Sequence, residues 1–162
     1  MKNFIISILI LVSLSLKAQD KNKTIWEFIK GEELKSSVTF LPFGSHTSDL
    51  DVIDIWYTSY NYKSYEIAAF KNSFGEFTLA ALYKRKQQVT EKFSVIYGLG
   101  VMYGYHGELR DVESIPFRNT FLFTGEINPV GGVNLDYRVA KKLSLQISLT
   151  PVVILYGFRY LL

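Results

Sequence analysis

The sequence contains no cysteine, so neither a disulfide nor a thiolate ligand or nucleophile is available to it. Histidine is nearly as scarce. Only His46 and His106 occur, and two separated imidazoles make no metal-ligand spacing. A phosphate-cradling loop is missing too, since Gly98-Leu-Gly-Val-Met-Tyr-Gly104 lies inside a strand-like run rather than at a strand-to-helix turn. After Leu16 every apolar run is interrupted by a charge or a proline, so no later segment reads as a transmembrane helix. Charge of one sign is also lacking. Lys and Arg number 18 against 15 Asp and Glu, and without Lys2 and Lys17 the excess falls to one, which leaves no basic footprint for nucleic acid.

What is present begins with Lys2, the apolar run Phe4 to Leu16 and the small-residue site Lys17-Ala18-Gln19. That order predicts a signal peptide over 1–19 and export of the remainder. An exported domain without disulfides needs another source of stability, and a sheet closed in a bilayer supplies one. Aromatic residues are plentiful, with 11 Tyr, 12 Phe and 2 Trp, as expected of a chain that meets lipid interfaces. Between Lys21 and Leu34, Ile25, Trp26, Phe28 and Ile29 alternate with Lys23, Glu27 and Lys30, and Gly31 follows. This spacing predicts a short amphipathic helix in a leader over 20–35, or a loosely ordered leader.

Eight alternating runs follow in 36–162: Ser36 to Phe43, Val52 to Tyr62, Tyr65 to Asn72, Glu76 to Lys86, Lys92 to Tyr105, Glu126 to Arg138, Lys142 to Thr150 and Val153 to Leu162. The seventh is the cleanest, with Leu143, Leu145, Ile147 and Leu149 alternating against Ser144, Gln146, Ser148 and Thr150. A period of two is a strand with one greasy and one polar face. The export signal and the even count predict an all-β fold, an eight-stranded antiparallel transmembrane β-barrel, with the greasy faces toward lipid. A soluble, lipocalin-like barrel is the alternative that alternation alone leaves open. In the fifth run Phe93 to Tyr105 present bulky residues on one face, while Gly98, Gly100 and Gly104 lie on the other. Inward glycines predict a cavity, or else bends at a barrel corner.

In an even-stranded barrel both termini share one rim, so connections alternate between rims. His46, Asn72, Ser73, His106, Arg110 and Asp111 then all map to the outer rim. A hydroxyl near an imidazole is the minimum for acyl transfer, with a third group to orient the ring. Asn72 can accept a hydrogen bond from His46 but carries no negative charge, and Arg110 can bind phosphate or an oxyanion. The same residues read equally as a hairpin turn, because Asn and Gly tolerate positive φ.

Several stretches together resemble the PagP family of outer-membrane lipid A palmitoyltransferases. Phe40-Leu-Pro-Phe-Gly-Ser-His46 is similar to the family's first strand, and Ala68-Ala-Phe-Lys-Asn-Ser-Phe74 to its Ala-Phe-Lys-Asp-Ser-Phe stretch. Gly98-Leu-Gly-Val resembles its Gly-Leu-Gly-Phe, Arg110-Asp111 a pair in its third outer loop, and Gly157-Phe-Arg-Tyr its closing strand. Pro129 and Pro151 sit where the family has prolines near the outer ends of late strands. The resemblance implies an acyltransferase that moves a palmitoyl-like chain from a phospholipid donor to lipid A in the outer membrane, as a monomer without a cofactor. It implies catalytic roles for His46, Ser73 and the position held here by Asn72, where the family has aspartate. It also implies substrate-binding roles for Arg110, Gly98 and Gly100. The alternative is a non-catalytic barrel of the same type with a lipid-binding or structural role.

Overall fold

The computed structural model describes residues 30–47, 52–113, 115 and 117–162. The expected signal peptide and nearly all of the expected amphipathic helix lie outside the described residues. The end of the leader is extended rather than helical: Glu32 and Lys86 exchange backbone hydrogen bonds of 2.7 and 3.0 Å. Arg85 holds the same segment by donating to the carbonyls of Lys30 and Gly31. Leu34 is thereby buried at the inner opening of the barrel.

Nine strand segments form the wall: β1 (Ser37–His46), β2 (Val52–Ile53), β3 (Tyr57–Tyr62), β4 (Tyr65–Lys71), β5 (Phe77–Gln88), β6 (Phe93–Tyr103), β7 (Ile127–Arg138), β8 (Leu143–Leu149) and β9 (Val153–Leu161). All neighbours are antiparallel, and β1 pairs with β9 to close the sheet. Both β2 and β3 pair with β1, so they are successive pieces of one barrel strand. The closed wall therefore has eight strands, as the alternation predicts, with the run Val52 to Tyr62 interrupted over 54–56. Short connections at 63–64, 89–92 and 139–142 mark one rim, and the long connection 104–126 belongs to the other.

The first strand runs further than its sequence pattern, because Gly44, Ser45 and His46 pair with Leu155, Ile154 and Val153 of β9. His46 therefore ends a strand instead of riding a loop. The fifth run ends sooner than its pattern. Gly104 takes φ +125°, which breaks the ladder and turns Tyr105 inward, although alternation puts it with the outward set.

Side chains sort by face as expected of a barrel in lipid. Ile67, Leu79, Leu99, Val101, Leu145 and Phe158 are exposed on the outer wall. Aromatic residues flank them at both ends. Tyr62, Tyr65, Tyr83, Tyr137 and Tyr160 lie toward the short-turn rim, and Phe43, Phe77 and Tyr103 toward the other. Such paired belts suit the two interfaces of a membrane. The interior is the reverse. In its inner half Glu66 pairs with Lys84 at 2.5 Å and accepts from the Tyr57 hydroxyl. Arg159 meets Asp136 at 3.4 Å and donates to the Ser37 hydroxyl at 2.9 Å. The gap left between these groups has no room for a water molecule.

Candidate functional site

The outer half of the interior is a cavity of about 480 Å³. Its walls are apolar: Ala80, Leu82, Met102 and Val130 from the strands, with Leu109 and Phe123 folded over from the long outer connection. Leu109 lies in a 3₁₀ turn, Glu108–Asp111, and Phe123 in a second, Phe121–Phe123. Tyr105 lines the same space, and burial, helped by the nearby Glu108 carboxylate, pushes its hydroxyl up to about 12. It stays neutral at any physiological pH.

Gly98 and Gly100 both line the cavity. They also serve the other purpose their run allowed. A Cβ added at Gly100 would lie 2.0 Å from the Ala81 carbonyl oxygen and 2.7 Å from Leu82 Cα. At Gly98 it would meet Lys84 Cγ at 2.6 Å and the Tyr83 carbonyl at 2.9 Å. These glycines therefore permit a close approach of β6 to β5 as well as leaving space.

The cavity has a side opening. β7 pairs with β8 only from Val133 to Arg138, so 127–132 have no strand partner on that side among the described residues. Leu99, Pro129 and Gly131 belong to the outward-facing set, yet they line the cavity together with Thr150, Pro151 and Val152. Pro129 has no N–H to donate, and Pro151 occupies the connection after β8, so both prolines help to leave this seam unpaired. The interior thus communicates with the lipid-facing surface through the wall.

The expected site residues occupy this rim in different settings. Asn72 is 2% exposed and fully engaged. Its Oδ1 accepts from the N–H groups of Phe74 and Glu76 at 3.0 and 2.9 Å, an Asx turn that shapes the hairpin between β4 and β5. Its Nδ2 donates to Thr78 Oγ1 at 3.2 Å and to the Gly104 carbonyl at 3.1 Å. Ser73 is exposed beside it and lines the cavity. His46 lies half-buried at the end of β1, two strand positions around the wall. No hydrogen bond among the described residues joins His46 to Asn72 or Ser73. Arg110 is exposed in the first 3₁₀ turn, outside the cavity lining, and His106 sits 4.0 Å from Glu126. The structure brings Asn72, Ser73, Gly98 and Gly100 to the cavity or its edge and leaves His46 and Arg110 apart from it.

Sequence reasoning passed over the polar side chains at the cavity's depth, Asn134, Gln146 and Ser148. Their parity toward the lumen was readable from their runs. What was not readable is that they face the cavity, where Asn134 and Gln146 also border the inner polar network.

No family model matches the chain, and no curated protein matches it. Among solved structures it is similar to one from the de novo design of transmembrane β-barrels, with a TM-score of 0.54 and 17% identity over 82% of this chain and 99% of that one. That likeness is one of fold. It agrees with the apolar outer wall and the two aromatic belts: this is a barrel of the transmembrane type.

Proposed function

We propose that the chain is an outer-membrane barrel that takes a lipid acyl chain into its interior cavity. The observation that carries this reading is the apolar cavity's opening through the β7–β8 seam onto the lipid-facing wall. A chain lying in the membrane reaches it without crossing water, and its apolar surface is buried on entry at roughly 25 cal/mol per Å². The test is displacement of a fluorescent fatty acid from the folded protein in detergent micelles by unlabelled fatty acids. The native protein should bind the probe, and Val130→Trp, which fills the cavity, should weaken binding at least tenfold. Equal binding by the two proteins would remove the cavity from the account.

A second reading, a PagP-like acyl transfer to lipid A, is favoured by the exposed Ser73 hydroxyl at the cavity's edge. In this reading the donor phospholipid's acyl ester is cleaved and re-formed on a lipid A hydroxyl. Ser73 attacks the donor ester while His46 passes its proton to the departing lysophospholipid. The lipid A hydroxyl then takes the acyl group from Ser73 and returns a proton to it by way of His46, and Arg110 receives a phosphate. His46 and Ser73 must first be drawn together by a rearrangement of the rim, since apo geometry is often loose. Mass spectrometry of lipid A from cells producing the native protein, Ser73→Ala or His46→Ala checks it. An added acyl chain that vanishes in both variants supports transfer, and unmodified lipid A throughout leaves acyl-chain binding alone.

A further inference from the structure

The deep end of the cavity differs from its walls. Lys84, Asn134, Gln146 and Ser148 line it there. Asn134 and Ser148 are register partners across β7 and β8, and Gln146 lies two residues from Ser148 on the same inward face. The Lys84 ammonium is answered by Glu66 at 2.5 Å. The other three are not answered. Among the described residues the side chains of Asn134, Gln146 and Ser148 have no hydrogen-bond partner, and Gln146 Oε1 is buried without one. Asn134 and Gln146 are only 5% and 2% exposed. Buried amides are nearly always hydrogen-bonded, so a cluster of unpartnered ones beside an open volume marks where a ligand's polar group belongs.

The chemistry of that group follows from the cluster. Two amides and a hydroxyl both donate and accept, and a hydroxyl on the ligand does the same. A charged tip does not fit, because Glu66–Lys84 and Asp136–Arg159 already neutralise one another and would leave it uncompensated. A bare methyl end would strand the amides without partners.

We propose that the cavity takes an amphiphile whose inserted end carries a neutral hydroxyl, held by Asn134, Gln146 and Ser148. The proposal rests on the cavity being the acyl-chain site described above and names what that chain bears at its tip.

The test is the same displacement assay with pairs of fatty acids matched in length, one plain and one with a terminal hydroxyl. At the length that spans the cavity, the hydroxylated member should compete about tenfold better in the native protein. Gln146→Leu should abolish or reverse that preference. Ser148→Ala, a smaller change at a half-buried site, should reduce it and serves if Gln146→Leu does not fold. If plain chains bind as well as or better than hydroxylated ones at every length, the polar end holds only water. The proposal then fails while the acyl-chain reading stands. A preference that survives unchanged in the folded variants also overturns it. If neither member displaces the probe, both readings fall.

Discussion

From one side chain, Asn72 reaches the end of β4, the start of β5 and the turn after β6, through Phe74, Glu76, Thr78 and Gly104. Removing these bonds leaves buried backbone groups unpaired, so Asn72→Ala should cost about 1–3 kcal/mol. Asn72→Asp keeps the two acceptor bonds but sets a carboxylate oxygen against the Gly104 carbonyl. It should therefore also destabilise the barrel by about 1–3 kcal/mol. Urea midpoints of the folded protein in detergent would check both. Ser73→Ala, at an exposed tip, should stay within about 0.5 kcal/mol of the native protein and so suits functional tests. The Asn-Ser pair was legible as a hairpin turn. The inward aim of the amide was not, because it depends on a carbonyl 32 residues further along the chain.

Strands were the most legible elements. Runs such as Leu143 to Leu149 carry their own face assignment, and a closed wall follows once every greasy face needs the same side. The departures arise where pairing outweighs pattern. β1 lengthens to His46 because β9 offers partners, and β6 stops at Tyr103 because Gly104 leaves the extended region. Gly100 shows the limit of reading glycines as space. Its opposite neighbour Leu82 sits so close that a methyl group collides with backbone and not with a movable side chain. Gly100→Ala should therefore lower stability by roughly 1–3 kcal/mol through forced separation of β5 and β6. The loss should be read as a lower urea midpoint and a smaller folded fraction by gel mobility. Changes at Val130 or Met102 probe the cavity without touching that contact.

The whole molecule divides across its long axis into a polar inner half and an apolar outer half. The inner half is held by paired charges, and unpairing them is expensive. Glu66→Ala would strand the Lys84 ammonium among buried groups and should cost about 3–5 kcal/mol, whereas Glu66→Ala with Lys84→Met should recover most of the loss. Because the same groups fill the lumen, the native protein should add no ion conductance to a planar bilayer. The division itself was half legible: Glu66, Lys84, Asp136 and Arg159 could be given to the lumen by parity, but their pairing across strands needed the register. The seam between β7 and β8 has a mechanical consequence as well. A closed wall resists deformation through its unbroken ladder, so compliance collects where the ladder is missing. Backbone amides of 127–132 that point toward β8 should exchange with deuterium well before those of β5 and β6. Breathing of the cylinder would then be lopsided, with one edge giving way while the β4–β6 side, tied by Asn72, keeps its shape.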